Sequence, residues 1–157
     1  MSSAENYKKF IMDYLSIFPE RLSELMFYKE LTATQLSEIL ECESSTISHY
    51  LSGLHLPTVE TAVTLADYFN VTTDFLFGLD NENKAANFKK CPPFGERFKE
   101  VCKANKISRY KITQKTGIAE SVMRYWIQGK TQPSISNIIK LAKFFNCSID
   151  YILGREI

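Results

Sequence analysis

Apolar residues come in short bursts at helical spacing along this chain, and nowhere do they sustain the period-two alternation of strands. Leu22, Leu25 and Met26 share one helical face behind Pro19, a residue suited to a helix opening. Thr32 and Gln35 have the spacing of a capping box ahead of Leu36, Ile39 and Leu40. A third helix is expected from Ser44 or its neighbour, packed through Ile47, Tyr50 and Leu51 and ended by Gly53. Beyond Pro57, a fourth runs through Val59, Ala62, Val63, Leu65, Ala66 and Phe69, and residues 72–77 make a short fifth closed by Gly78. Ahead of these, residues 4–17 carry Tyr7, Phe10, Ile11, Tyr14 and Leu15 at helical spacing. This predicts an added helix that either covers its own domain or meets another subunit.

The same pattern returns later in the chain. Residues 18–78 align with 94–154 without a gap, with thirteen identities that include Arg21/Arg97, Gly53/Gly129, Pro57/Pro133, Asn70/Asn146 and Asp74/Asp150. Elsewhere hydrophobic character persists while shape changes, as in Ile47/Met123 and Tyr50/Trp126, which is how two related cores repack independently. The expected organisation is therefore all-α: a helical extension over 1–17, one five-helix domain over 18–78, a polar linker over 79–93 ending in two prolines, and a second five-helix domain over 94–157.

The repeat changes the meaning of the charge. The 157 residues sum to a formal +1, which speaks against a uniformly basic binder of polyanions. Residues 18–78 hold two basic and nine acidic residues, a net of −7, and residues 94–154 hold eleven basic and four acidic, a net of +7. Near-neutrality is thus a cancellation between an acidic and a basic repeat.

Residues 108–133, with Ile112, Gly117, Ile118, Met123, Trp126, Gly129, Lys130 and Pro133 at their places, resemble the helix-turn-helix core of the lambda-repressor-like, or XRE, family of bacterial DNA-binding domains. The first repeat is similar to the same pattern through Leu36, Cys42, Ile47, Ser48, Tyr50, Gly53 and Pro57. The resemblance implies two tandem five-helix domains of that kind and a role as a transcriptional regulator bound to double-stranded DNA. A helix-turn-helix sets its second helix in the major groove while flanking groups hold phosphates. Glu120, Ser121, Arg124, Tyr125 and Gln128 are then candidates for base or groove contact, and Arg109, Lys111, Lys115 and Lys130 for phosphate contact. Where the family commonly has Gln at the start of the first of the two helices, this chain has Ala33 and Arg109. Arg109 preserves a phosphate contact and Ala33 does not.

In the first repeat Ser44, Ser45, Ser48 and His49 can hydrogen-bond to bases, but residues 30–83 contain no Lys or Arg, and Glu38, Glu41 and Glu43 repel a duplex. That repeat is expected to serve assembly or regulation, and DNA contact is expected mainly from the second. The competing reading is a protein-interaction module, antitoxin-like or adaptor, in which both domains bind polypeptide. A homodimer fits the palindromic operators such modules commonly read, and the sequence names no effector.

Other chemistry is weakly signalled. Cys42, Cys91, Cys102 and Cys147 form no CxxC pair, and the first, third and fourth align with Ile118, Met26 and Val71 as core residues. No metal site, no cofactor and no catalytic constellation is expected, so the chain is not expected to be an enzyme. Charged positions throughout residues 1–18 leave no membrane anchor or signal segment, and a cytoplasmic protein is expected. On the fourth helix of the second repeat, Lys140 and Lys143 are read as solvated surface.

Overall fold

Capping residues at regular intervals divide the chain into eleven helices among residues 2–84 and 87–156, the ones that the computed structural model describes: α1 (Ser3–Leu15), α2 (Phe18–Tyr28), α3 (Ala33–Ile39), α4 (Ser44–Ser52), α5 (Val59–Phe69), α6 (Thr73–Leu76), α7 (Phe94–Ala104), α8 (Arg109–Thr116), α9 (Glu120–Ile127), α10 (Ile135–Phe145) and α11 (Ile149–Leu153). Positions 1, 85, 86 and 157, which the sequence places in the extension, the linker and the end of the second domain, lie outside the described residues. No described helix is long and apolar enough to cross a membrane. The described chain forms two compact units, one running from Met12 to residue 84 and the other joining residues up to Ile11 with those from Asn87 onward.

In the unit that begins at Met12, Pro19 opens α2, and Phe18, Leu22 and Met26 turn inward. The capping box before α3 is complete: the Gln35 amide donates to Thr32 Oγ1 at 3.2 Å and the Thr32 amide to Gln35 Oε1 at 2.9 Å. Helix α4 starts after Glu43 without a side-chain cap and ends on Gly53 at φ +76°, where a Cβ is strained. Thr58 and Thr72 cap α5 and α6. The Phe18 ring stacks on Phe77 at 5.1 Å and meets Tyr50 edge-on at 6.0 Å, tying the first, third and last helices of the repeat together.

The unit containing α7 to α11 repeats this plan with different side chains. Phe94 and Phe98 both meet Trp126 edge-on, at 5.6 and 5.7 Å. The start of α7 lies so close to the end of α9 that a Cβ on Gly95 would stand 2.3 Å from the Trp126 carbonyl oxygen and 3.0 Å from Ile127 Cα. Backbone cannot yield as a side chain does, so Gly95→Ala is expected to destabilise this unit by about 1–3 kcal/mol, read as a lower urea midpoint. In the first repeat the same position is Pro19, whose Cγ lies 3.5 Å from where a Cβ on Gly53 would stand.

Two further segments complete this unit. The amino-terminal part of α1 covers it: Ile11 is buried, and Lys143 Nζ sits 3.6 Å from the centre of the Phe10 ring and 5.2 Å from that of Tyr7. Lys143 is exposed, as its reading as surface expected, and its cation–π contacts also tie it to α1. Phe88 forms an isolated antiparallel bridge with Glu156, and the Lys89 amide donates to the Arg155 carbonyl at 2.9 Å. Beneath the bridge, the Arg155 guanidinium lies 3.6 Å from the Phe88 ring centre and donates to Asp150 Oδ1 at 2.8 Å, with both charged side chains buried.

All four cysteines are half-buried, so the core placement expected for Cys42, Cys102 and Cys147 is corrected. Cys42 and Cys147 fall just past helix ends, in turns where their amides donate to the Ser37 and Ala142 carbonyls. Burial pushes the Cys102 thiol up to about 11, against a smaller downward pull from Arg109. Thiolate is the reactive form, so Cys102 is expected to react with a disulfide reagent at pH 8 more slowly than the unfolded chain's thiols do, measured by stopped-flow absorbance.

Candidate nucleic-acid interface

The basic unit holds α8 and α9 at a fixed angle through a turn locked by threonines. Ser108 caps α8 by accepting from the Lys111 amide. Thr113 Oγ1 donates to the Ile118 carbonyl at 2.7 Å, and Thr116 Oγ1 donates to the Ile112 carbonyl at 2.8 Å while accepting from the Ile118 amide at 3.2 Å. Gly117, at φ +76°, turns the chain between the helices, and Ile112, Ile118, Met123 and Trp126 pin both helices to the core.

With Met123 and Trp126 inward and Val122 and Ile127 half-buried, the polar side chains of α9 face out. Glu120, Ser121, Arg124, Tyr125 and Gln128 are all exposed, as are Arg109, Lys111 and Lys115 on α8 and Lys130 beyond Gly129. Arg124, Tyr125 and Lys130 gather into one group: the Arg124 guanidinium lies 5.9 Å and Lys130 Nζ 5.5 Å from the Tyr125 ring centre. Glu120 occupies the first turn of α9, where a carboxylate complements the helix dipole. Tyr110 and Gln114, neutral and so unmarked by charge in the sequence, add to the outer surface of α8. Gln114 Nε2 donates to Tyr110 Oη at 2.8 Å, and Tyr110 is 61% exposed.

Arg97 and Arg21 have a different place. Arg97 donates through Nε and Nη2 to the Tyr151 carbonyl at 3.1 and 2.6 Å, and Arg21 donates through Nη1 to the Phe75 carbonyl at 3.0 Å. Each guanidinium also lies over the ring of the residue whose carbonyl it bonds and beside a Glu three residues on. They brace the first helix of each repeat against the last.

On α4, Ser44, Ser45 and Ser48 are exposed and His49 is half-buried. Ser48 Oγ donates back to the Ser44 carbonyl at 3.3 Å. The surroundings are apolar or acidic, with Leu54 64% exposed and Phe27 and Tyr28 79% and 81% exposed at the end of α2.

A family model described as Helix-turn-helix matches residues 29–76 and again 98–152. The chain is 33% identical over 66 residues to an uncharacterized HTH-type transcriptional regulator of Rickettsia prowazekii, a match covering 40% of this chain and 72% of that protein. A protein of Bacillus subtilis with the same description is 30% identical over 59 residues, 38% of this chain and 53% of its own length. A third, from Rickettsia conorii, is 32% identical over 66 residues, 40% of this chain and 61% of its own. The chain thus spans between about half and three quarters of the length of these curated relatives. No solved structure matches it.

Proposed function

Because the chain belongs to the XRE-type helix-turn-helix family, we propose that it is a transcriptional regulator that binds specific double-stranded DNA mainly through the α8–α9 surface, with the acidic first domain serving assembly or regulation. The observation that carries this reading is the separation of charge and exposure. All nine candidate side chains of the second domain are exposed around α8 and α9 in a repeat of net +7, whereas residues 30–83 contain no cation at all. Releasing counterions from a duplex requires Lys and Arg, and only the second domain presents them on its helix-turn-helix.

Arg109, Lys111, Lys115 and Lys130 hold phosphates in this proposal, and Arg124 reads a guanine edge from α9 with Ser121, Tyr125 and Gln128 beside it. Fluorescence anisotropy with random and selected duplexes across a salt series tests it. Lys130→Ala is expected to weaken binding to all sequences alike and to lower the salt slope by about 1, whereas Arg124→Ala is expected to cost about 1–3 kcal/mol on the selected site and to relax its specificity. Ser48→Ala and Leu54→Ala are expected to leave both unchanged. Salt-insensitive binding, or none, removes the DNA reading.

A second reading keeps a foothold in the first domain alone. Exposed Phe27, Tyr28, Leu54 and Leu56 in an acidic unit suit a polypeptide partner better than a polyanion. Binding of peptide with no response to duplex would favour the protein-interaction module for the whole chain.

A further inference from the structure

We propose that the first domain binds one divalent transition-metal ion of the borderline class, such as Ni2+ or Zn2+, between His49 and His55. These are the only two histidines of the chain. His49 lies in the last turn of α4. Immediately beyond it, Gly53 at φ +76° reverses the chain, and the Leu54 and His55 amides both donate to the His49 carbonyl, at 2.9 and 3.3 Å. That turn sets the His55 ring edge-on to His49, with ring centres 5.0 Å apart and planes at 81°.

Edge-on aromatic pairs have such separations without any ligand, but two imidazoles serving one ion must have them. With metal–nitrogen bonds of about 2.0–2.1 Å, ligand angles between roughly 90° and 110° put the ring centres about 4.5–5.2 Å apart. The ring separation of 5.0 Å thus falls within the bite of such a chelate.

The second observation is the field around the pair. The repeat carries a net −7, with no Lys or Arg anywhere from residue 30 to residue 83 to repel a dication. Imidazole nitrogen suits metals of this borderline class, while the hard ions Mg2+ and Ca2+ prefer oxygen. Among the described residues no three His, Cys, Asp or Glu converge on a common point, so the protein supplies two ligands and water completes the shell. The site is open, and the ion sits at the surface of α4 at the position that Tyr125 occupies on α9. Occupancy puts positive charge on the one helix-turn-helix surface that has none, and this consequence for DNA rests on the function proposed above, whereas the metal site does not.

The experiment is a Ni2+ titration of the full chain followed through the two histidine ring resonances in proton–carbon NMR, assigned with His49→Gln and His55→Gln. Paramagnetic Ni2+ is expected to broaden both signals together with a common midpoint. Removing either ring is expected to raise the midpoint of the other at least about tenfold, because the second bond of a chelate forms at high effective concentration. Mg2+ is expected to leave both signals unchanged. If the two signals respond at different Ni2+ concentrations, or if His49 keeps its midpoint in the His55→Gln variant, the rings bind independently and the chelate is overturned. His55 is exposed, so that variant tests the site without disturbing the core.

Discussion

Asp150→Ala is expected to destabilise the second domain by about 3–5 kcal/mol, because it takes from the buried Arg155 guanidinium the carboxylate it donates to, in a place water does not reach. The two side chains are 2% and 0% exposed, and their bond is 2.8 Å long. The Phe88 ring also covers the guanidinium at 3.6 Å, and Phe88 is held in place by its bridge to Glu156. The loss is measurable by urea unfolding followed by far-ultraviolet circular dichroism. The double replacement Asp150→Ala with Arg155→Met is expected to recover much of it, since an apolar pair of similar volume avoids the desolvation that the ion pair must overcome. Position 79, the counterpart of Arg155, is Leu in the first repeat, and Asp74, the counterpart of Asp150, is half-buried. Asp74→Ala is therefore expected to cost distinctly less. Equal losses at Asp74 and Asp150 would mean that the buried arginine is not what makes Asp150 indispensable.

Trp126→Ala is expected to cost about 3–5 kcal/mol and, unlike Arg124→Ala, to lower stability and DNA affinity together. Trp126 is 2% exposed and meets both Phe94 and Phe98 edge-on, so its removal opens a cavity at the junction of α7 and α9. The same helix turns Arg124 and Tyr125 outward, and its inner anchor fixes where those side chains stand. Thermal unfolding and anisotropy on one set of samples separate the cases. Arg124→Ala is expected to leave the melting temperature unchanged while binding falls, and Trp126→Ala to lower both. A Trp126 variant with wild-type affinity below its melting temperature would show that α9 keeps its position without the indole.

The contrast between these two residues shows what a sequence can and cannot carry. Trp126 announces itself, because its role depends on spacing: Ile112, Met123 and Trp126 fall on inward faces that periodicity alone marks, and the gapless repeat places Tyr50 at the same point of the first domain. Capping is equally local, and the Thr32–Gln35 box and the Gly53 stop form as the residue types require. The candidate interface was readable for the same reason, since residues three and four apart on α9 share the side away from the core. Tyr110 and Gln114 carried no such mark, because their contribution to the surface is exposure and mutual bonding rather than charge. The cysteines misled because a Cys side chain is shorter than the Ile, Met and Val it aligns with, so an aligned position does not guarantee the same depth: Ile118, Met26 and Val71 are buried, whereas Cys42, Cys102 and Cys147 are half-buried.

The sequence by itself determined that this protein is a pair of helical repeats, that Leu22, Leu36, Ile47, Ile112, Met123 and Trp126 face their cores, and that its near-zero net charge hides an acidic half and a basic half. These follow from periodicity, from self-alignment and from counting, none of which needs three dimensions. Only the tertiary structure decided that Arg155 is sealed beneath Phe88, that the start of α1 covers the second domain through Phe10 and Lys143, and that His49 and His55 meet. Each of these joins residues brought together by a turn or by distant segments packing on one surface, and such meetings depend on where the whole chain goes rather than on any local pattern.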